Sequence, residues 1–433
     1  MDPTLIGTLG VCCLFFFLAT GMHIALSMLI TGFLGYWLMM GMPAALALLN
    51  LVPYSVASSY TLTVIPLFVL MGQFASVSGI SGDIYKAVYS WFGSLPGGLA
   101  MATVVGCAGF GAVCGSSLAT GVTMGIVAIP EMKKYGYDDR LATGCVAAGG
   151  TLGILIPPSL GFAIYGILTE QSIGKLFMAG ILPGIILTGF FIIAIWIQCR
   201  IRPSMGPRAA RTSFKDRILA LSGVWGLLLL FVLVMGGIYL GVFTPTEAAG
   251  VGAFGAFLIS LFRGRLSLAN IKESVLATGK TTAMIFLIII GAEFLSKFLG
   301  VTMLPMALAD YVGSLSLNKY VILALIMLVY MILGCLMDCV AIMILTTPII
   351  YPIIVALGFD PIWYGVMMVV ILEAGFITPP VGLNVFVIKG VSGGVELSTI
   401  FRGIFPFLGG CIAMLILLTI FPRIALLLPS LMK

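Results

Sequence analysis

The chain has 433 residues, of which 61% are hydrophobic and only 8% are charged, with a formal net charge of +6. Because a soluble domain carries about 25% charged residues, this composition excludes a soluble protein and indicates an integral membrane protein. Runs such as 181–197 and 218–240 are apolar without a break, which predicts helices and excludes the alternating strands of a membrane β-barrel. The nine cysteines form no CxxC pair, and the one histidine, His23, cannot build a zinc site.

Residues 1–199 are predicted to form a first unit of five spans and one hairpin that enters the membrane and returns on the same side. Its scaffold spans lie within 5–80, together with an interfacial arm at 43–60. Residues 99–131 are apolar but glycine-rich, and CGSS at Cys114–Ser117 interrupts them. Because each arm is short for a span, we expect a re-entrant hairpin with its tip at this interruption.

The run 141–168 is long and apolar enough to cross a bilayer, yet GGTLGILIPPS at 149–159 holds three glycines and two adjacent prolines. Pro158 forces Pro157 out of the helical region, so we expect the span to break at membrane depth. Broken backbone is tolerated there only inside protein or beside a water-filled site, because its N–H and C=O groups need partners. A simple kink is the alternative. An unbroken span is predicted to follow at 173–199.

Residues 200–217, RIRPSMGPRAARTSFKDR, hold six basic residues and one acid and are predicted to be a cytoplasmic linker. Residues 218–433 are predicted to repeat the order of the first unit, with scaffold spans within 218–298. A hairpin at 320–354 is interrupted by GCLMD at Gly334–Asp338, and a broken span follows at 362–388 before the last span. Within the scaffold part we expect an unbroken span at 218–240. A basic amphipathic stretch at 263–278 is expected to be separate from the next span, which lies at 281–298. A polar loop is expected between that span and Lys319.

The second unit matches the first at one constant offset. Gly375, Pro379 and Pro380 in AGFITPP each lie 222 residues beyond Gly153, Pro157 and Pro158. Three further identities lie on the same diagonal: Pro130 with Pro352, Gly136 with Gly358, and Asp138 with Asp360. Identities at these structure-setting residues indicate an internal repeat and argue against a mere kink. Since each unit has an odd number of spans, the two repeats are predicted to be inverted.

The basic residues predict the orientation of the chain in the membrane. With 200–217 in the cytoplasm, sixteen of the 21 Lys and Arg residues fall on the cytoplasmic side. The five on the other side are Lys175, Lys297, Lys319, Arg423 and Lys433. Because Lys and Arg are enriched in cytoplasmic loops, this distribution predicts that both termini lie outside. The two hairpins then enter from opposite faces.

By the repeat symmetry, each hairpin tip is expected to meet the break of its own unit near the membrane centre, which is the layout of a secondary-transporter site. Half-helix N-termini favour an anionic group, whereas unwound carbonyls and hydroxyls suit a hard cation such as Na⁺. The first predicted Na⁺ site comprises Gly115, Ser116, Ser117, Thr151, Gly153, Pro157 and Pro158. The second comprises Gly334, Asp338, Gly375, Thr378, Pro379 and Pro380. Ser117 and Asn384 are predicted to contact the substrate.

Several of these residues also have a structural interpretation. Ser and Thr in membrane helices often bond back to the preceding turn. Asp338 and Glu373 are ionisable groups at membrane depth and are expected to be functional, although Glu373 could instead pair within the core. Glu247 and Glu293 are further candidates, and for Glu247, near a span end, a structural role is favoured. Because no Lys or Arg lies inside a span near the tips, an anion must be held by helix dipoles or by basic residues from near an interface.

Four segments of the sequence resemble a known family: GCAGFGAVCGSS, YGYDDRLATGCVAAGGTLGILIPPS, GVFTPTEAAG and GFITPPVGLNVF. They are similar to the large membrane subunit of tripartite ATP-independent periplasmic (TRAP) transporters, the DctM family, over essentially the whole chain. The resemblance implies an all-α, inverted-repeat fold of the ion-transporter superfamily that works by an elevator motion. It implies import of an organic-acid anion, such as a C4-dicarboxylate or a sialic acid, driven by a Na⁺ gradient. Sodium sites in this architecture lie between hairpin tip and broken helix.

The resemblance also implies partners and a location. These are a small four-helix membrane subunit on a separate chain, a soluble periplasmic substrate-binding protein, and the lipid bilayer of a bacterial inner membrane, with no nucleic acid. The periplasmic termini predicted from the basic residues fit that arrangement. The main alternative is a stand-alone Na⁺- or H⁺-coupled anion carrier of the same superfamily.

Two other classes of membrane protein, a channel and an intramembrane enzyme, fit these residues less well. A channel needs a continuous pore, whereas paired inverted discontinuities favour alternating access. An intramembrane enzyme needs a catalytic set, and the chain has no HExxH motif and no closely spaced pair of intramembrane aspartates. The sequence therefore predicts a transporter and not an enzyme.

Overall fold

A computed structural model describes residues 2–209, 212–314 and 317–432, and within these ranges the chain is helical with no β-strand. Long apolar segments favour helices in a bilayer because a helix satisfies its backbone N–H and C=O groups internally. The helices before the linker are α1 (Pro3–Ala19), α2 (Ile24–Met40), α3 (Met42–Ala57), α4 (Val64–Val77), α5 (Ile80–Phe92), α6 (Gly98–Cys114), α7 (Ser117–Lys134), α8 (Asp139–Leu155), α9 (Leu160–Leu168) and α10 (Ile173–Ile201).

The helices after the linker are α11 (Phe214–Leu221), α12 (Trp225–Phe231), α13 (Gly237–Tyr239), α14 (Pro245–Phe262), α15 (Leu268–Thr302), α16 (Leu304–Ser314), α17 (Lys319–Leu336), α18 (Cys339–Ala356), α19 (Pro361–Ile377), α20 (Leu383–Val391), α21 (Leu397–Ile420) and α22 (Arg423–Ser430). Among the described residues, six helices are long and apolar enough to cross a bilayer, or up to nine if each bent pair counts as one span. The chain is thus a multi-pass membrane protein.

One set of helices, called here the scaffold group, comprises α1–α4 and α12–α15. In it α2 packs along α15, and α4 packs along α14. A Cβ atom on Gly32 of α2 would collide with the backbone of Phe294 in α15, so the two backbones touch. Ser260 of α14 donates a hydrogen bond of 2.9 Å to the carbonyl oxygen of Phe74 in α4. In a bilayer no hydrophobic driving force brings helices together, so close packing at small residues and hydrogen bonds between helices stabilise their association.

The second set, called the hairpin group, comprises α6–α10 and α17–α22. In it α6 and α7 pack on α8, α17 packs on α19, and α8 packs on α21. Trp363 of α19 donates a 2.9 Å hydrogen bond to the carbonyl oxygen of Leu418 in α21. Contacts between the two groups include those of α4 with α6 and α9, and those of α15 with α18. Hairpins and broken helices from both halves of the chain therefore pack into one body beside the scaffold group.

The structure differs from the sequence predictions at three places in the second half. The expected span 218–240 is bent by 46° between α11 and α12, where Arg263 donates a 2.7 Å hydrogen bond to the carbonyl oxygen of Gly223. The stretch 263–278 is not separate from the next span, because α15 runs unbroken from its cap at Ser267. The expected polar loop contains the helix α16.

The described part of the linker is hydrogen-bonded to neighbouring helices. The N–H groups of Gly97, Asp138 and Ala209 form hydrogen bonds of 2.9–3.0 Å that join the linker to the ends of α5, α6 and α8. Residues 210 and 211 of the predicted linker, 315 and 316 of the predicted polar loop, and the chain ends at 1 and 433 lie outside the described residues.

Candidate functional site

The two hairpin tips each combine a helix N-terminus with a polar cap. Between α6 and α7, Gly115 adopts the left-handed φ of +65° that favours glycine, and Ser116 caps α7 by accepting a first-turn N–H bond of 3.4 Å. Between α17 and α18, the carboxylate of Asp338 caps α18 and accepts an N–H bond of 3.0 Å. A cap satisfies only part of the first turn, so each tip still presents N–H groups without a partner in the helix.

The two broken spans have matching breaks. The Pro157–Pro158 peptide between α8 and α9 and the Pro379–Pro380 peptide between α19 and α20 are both cis. Ser159 caps α9 by accepting a 3.2 Å bond, whereas Gly382, with a φ of +61°, stands before α20 and supplies no side-chain cap. The first double proline is buried, while at the second Pro380 is exposed. The second break is therefore more accessible than the first.

In the first half the hairpin tip lies against the break. A Cβ atom on Gly111 would lie 2.7 Å from the Cα atom of Gly153, so α6 and α8 touch backbone to backbone. A Cβ atom on Gly153 would in turn lie 2.7 Å from the carbonyl oxygen of Ser116. The N–H of Leu160 donates a 3.4 Å bond to the carbonyl oxygen of Gly115. A Cβ atom on Gly115 would lie 3.0 Å from the carbonyl oxygen of Pro158, so carbonyl oxygens of the tip and of the break lie close together.

The second half has the same contact. A Cβ atom on Gly375 would lie 2.8 Å from the Cα atom of Gly334, so α17 and α19 touch in the way that α6 and α8 do. The N–H of Gly382 donates a 3.1 Å bond to the carbonyl oxygen of Cys335 near the tip. Gly334 and Gly375, which the sequence assigned to the second Na⁺ site, therefore hold the tip and the break together.

The two tips share a small cavity of about 50 Å³. Its walls include Gly115, Ser116 and Ser117 from the first tip and Asp338 from the second, together with Glu373 of α19. The sequence placed Ser117 and Asp338 in different sites. The structure brings both to the wall of one cavity.

Buried oxygen atoms without a hydrogen-bond partner surround this cavity. Among the described residues, they include Ser117 Oγ and Glu373 Oε2, whose side chains line the cavity, and Thr120 Oγ1 on the next turn of α7. The other carboxylate oxygen of Glu373 accepts a 3.0 Å bond from the Cys339 thiol. An unpaired buried polar group costs about 1–3 kcal/mol, and an ionised one costs more, so this cluster favours a polar or cationic occupant.

The predicted threonine ligands bond to their own helices. Thr151 donates to the carbonyl oxygen of Ala148 at 2.5 Å, and Thr378 donates to that of Ala374 at 2.6 Å. Both hydroxyl protons are therefore used by the preceding helical turn, as in a purely structural role. Each hydroxyl oxygen keeps lone pairs, so both remain chemically able to coordinate a cation.

Asn384, predicted to contact the substrate, reaches from α20 into the first half of the chain. Its side chain is fully buried, and its Nδ2 donates a 2.6 Å bond to the carbonyl oxygen of Ala147 in α8. Its Oδ1 has no hydrogen-bond partner, and a Cβ atom added to Gly121 of α7 would lie 3.0 Å from it. Asn384 does not line the cavity between the tips, and it links α20 to α7 and α8.

A larger cavity of about 330 Å³ lies between the tips and the scaffold group. Ser116 and Asp338 line both cavities, and Gln73, Ser76 and Thr281 supply polar atoms from α4 and α15. Among the residues that the structure describes, no Lys, Arg or His lines it. Its size suits a small organic molecule, and its position places that molecule beside both hairpin tips.

Comparison with known proteins identifies the family. Residues 11–424 match the family described as "Tripartite ATP-independent periplasmic transporter, DctM component". The chain belongs to this family of TRAP-transporter large permease subunits. It is 38% identical to the C4-dicarboxylate TRAP transporter large permease protein DctM of Pseudomonas aeruginosa, over 90% of this chain and 93% of that protein. It is 34% identical to the sialic acid TRAP transporter large permease protein SiaM of Vibrio cholerae, over 86% of this chain and 87% of that protein.

A solved structure shares the fold of this TRAP subunit. The YdaH transporter of Alcanivorax borkumensis superposes with a TM-score of 0.62 at 14% identity, covering 99% of this chain and 98% of the other. At that identity the likeness concerns the fold alone. The predicted family is confirmed, and a family of transporter permeases is not one of enzymes.

Some residues of the site in this TRAP subunit were not predicted from the sequence. Gln73 and Ser76 of α4, Thr281 of α15 and Thr120 of α7 gave no local signal, because nothing near them breaks the helical pattern. Glu373 carried a signal, as an acid inside an apolar span, and the structure places it at the cavity between the tips.

The two further acidic candidates lie elsewhere. Glu247 forms a capping box with Thr244 at the exposed start of α14, which is a structural role. Glu293 lines a different cavity, of about 480 Å³, together with Lys297 on the same face of α15. Neither acid lines the tip cavity.

Proposed function

We propose that this chain is the permease subunit of a Na⁺-coupled TRAP transporter that imports an organic-acid anion. The C4-dicarboxylate and sialic acid names of its relatives give the class of cargo to test first. The carrying observation is the shared cavity of the two hairpin tips, with its unpaired oxygens of Ser117 and Glu373, next to a substrate-sized cavity. Helix N-termini, hydroxyls and carboxylates in one place suit an anion and a hard cation together.

The donors present fit Na⁺ as a co-transported ion. The two predicted sites offer oxygen ligands: the carbonyls of the glycines and prolines and the carboxylate of Asp338. They also offer the hydroxyls of Ser116, Ser117, Thr151 and Thr378. Glu373 adds a second carboxylate beside the tips. Oxygen ligands of this kind suit hard cations and not the softer transition metals.

The lining of the larger cavity explains why the two cargoes would be coupled. An organic anion there meets no basic side chain of the described part of the chain, and it lies close to the carboxylate of Asp338. A cation bound at the tips would offset that negative charge and favour the anion. By thermodynamic linkage, the anion then favours the cation by the same factor.

The two helix groups fit a movement that alternates access to the site. In this proposal the two halves are inverted repeats, the hairpin group carries the cargo as an elevator, and the scaffold group stays fixed in the membrane. Gly72 of α4 is the sliding contact, because a Cβ atom there would lie 2.7 Å from the carbonyl oxygen of Cys114 at the first tip. Both termini lie on the periplasmic side of the bacterial inner membrane.

The partners are a small four-helix membrane subunit and a soluble periplasmic binding protein that delivers the anion. The test is co-purification of the chain with a tagged TRAP small subunit, followed by uptake of labelled succinate or N-acetylneuraminate into proteoliposomes with the matching binding protein. We expect a stable complex and uptake that needs an inward Na⁺ gradient but no ATP. Uptake by the chain alone, without either partner, would favour the stand-alone carrier.

A further inference from the structure

A further cavity, which shares no lining residue with the cavities at the hairpin tips, lies between α5 and the C-terminal end of α7. Its volume is about 280 Å³, and its walls include Tyr85, Lys86 and Tyr89 of α5 with Glu131 and Tyr135 at the end of α7. None of these residues has a role in the transport proposed above. The pocket is called here the tyrosine pocket.

The tyrosine pocket holds charges of both signs that do not pair with each other. Among the described residues, the ion pairs are Lys133 with Asp139 and Arg263 with Asp83, so Lys86 and Glu131 belong to neither. Two opposite charges that line one small pocket without meeting offer a place to each end of a zwitterion. A ligand with an anionic and a cationic group would neutralise both.

The tyrosines supply an unused hydroxyl and aromatic faces. Tyr85 is only 4% exposed, yet its hydroxyl has no hydrogen-bond partner. Its ring stacks on that of Tyr89, with centroids 6.4 Å apart, and the Tyr89 hydroxyl lies 3.1 Å from that of Tyr135. A buried hydroxyl without a partner is unfavourable, so a ligand atom that forms a hydrogen bond with Tyr85 stabilises the complex. Aromatic faces also attract ammonium groups.

The surroundings of the pocket are typical of a membrane surface. Lys133 and Lys134 end α7, and the guanidinium of Arg217 lies 5.8 Å from the centre of the Trp91 ring at the end of α5. Tyr, Trp and basic residues concentrate at the level of the lipid headgroups. A ligand that reaches this pocket can therefore come from the bilayer.

We propose that the tyrosine pocket binds an ethanolamine phosphate group, with the phosphate beside Lys86 and the ammonium beside Glu131 and the tyrosine rings. The group can come from phosphatidylethanolamine in the bilayer or from free phosphoethanolamine. Because α5 and α7 supply opposite walls, the bound group joins α5 to the first hairpin. This proposal is independent of the identity of the transported anion.

The test is native mass spectrometry of the full-length detergent-purified protein, titrated with phosphatidylethanolamine or phosphatidylglycerol. We expect phosphatidylethanolamine to bind preferentially. Lys86→Gln and Glu131→Gln should each weaken that binding by about tenfold, the effect of losing one charge-assisted hydrogen bond. Tyr85→Phe keeps the ring and should weaken it less. Lys134→Gln and Glu273→Gln, which remove exposed charges that do not line the pocket, are the matched controls and should bind as wild type.

A separate arm identifies the source of the group. Delipidated protein that binds free phosphoethanolamine with the same dependence on Glu131 supports a soluble ligand, and binding of the lipid alone supports the bilayer. Equal binding of both phospholipids, or phosphatidylethanolamine binding unchanged in Lys86→Gln and Glu131→Gln, would overturn the proposal. Unchanged elution and thermal midpoint of each variant would show that it still folds.

Discussion

Single hydroxyl groups near the first tip have separable roles. Ser117 Oγ is buried without a partner, whereas Ser159 Oγ caps α9. We expect Ser117→Ala to raise the Na⁺ concentration for half-maximal uptake several-fold while leaving the ion-free thermal midpoint unchanged or higher, because removing an unsatisfied polar group is not costly. Ser159→Ala should do the reverse: it loses about 1 kcal/mol of capping free energy and leaves the Na⁺ dependence intact. Uptake assays and thermal unfolding distinguish the two, and identical behaviour would contradict the assignment of Ser117.

At the residue scale, the sequence predicts a functional residue only where that residue differs in character from its neighbours in the chain. Gly115, Ser116, Ser117 and Asp338 could be found because small or polar residues interrupt apolar runs at the hairpin tips. Thr120 could not, because one threonine in a helix is unremarkable until its hydroxyl is found buried and unpaired. The sharing of one cavity by Ser117 and Asp338 depends on packing between elements far apart in the chain, which no local pattern encodes.

At the element scale, backbone contact between helices fixes each tip against its break. A Cβ atom on Gly375 would lie 2.8 Å from the Cα atom of Gly334, and backbone cannot yield as a side chain can. We expect Gly375→Ala to destabilise the protein by about 1–3 kcal/mol, as overpacking does, and to reduce uptake.

The matched control for this contact is Gly279→Ala in α15. A Cβ atom there meets nothing within 4 Å, so alanine should stabilise the helix by up to about 1 kcal/mol. Thermal unfolding of both variants checks the prediction. A Gly375→Ala protein as stable and active as wild type would show that the helices can separate freely.

Element boundaries show where sequence reasoning reaches its limit. The double prolines predict breaks at 157–158 and 379–380 because proline cannot continue a helix, and the helices end there. The bend between α11 and α12 has no such residue. It coincides with Gly223, whose carbonyl oxygen accepts a hydrogen bond from Arg263 across 40 positions of sequence, so only the folded structure reveals it.

For the molecule as a whole, the two helix groups should move relative to each other through the contact at Gly72. A Cβ atom there would lie 2.7 Å from the carbonyl oxygen of Cys114. This clash would raise the free energy of the present arrangement of the scaffold and hairpin groups relative to arrangements in which Gly72 and Cys114 are apart. We expect Gly72→Ala to lower the uptake rate by about tenfold, since 1.4 kcal/mol of differential free energy shifts a population by that factor. Gly250→Ala, whose Cβ atom would meet only Leu67 at 3.9 Å, is the control. An unchanged rate for Gly72→Ala would argue against a sliding contact at α4.

The most direct measurement is the thermal stability of the purified subunit during titration with Na⁺, against K⁺ and choline at constant ionic strength. A saturable shift specific to Na⁺ is expected, because only the folded state brings the tip oxygens together. Glu373→Gln should weaken the shift, since it removes a carboxylate oxygen that lines the tip cavity, whereas Glu273→Gln, at an exposed position of α15, should not. An equal response to all three cations in the well-folded subunit, with its small partner present, would contradict the proposed sodium coupling and the site between the hairpin tips.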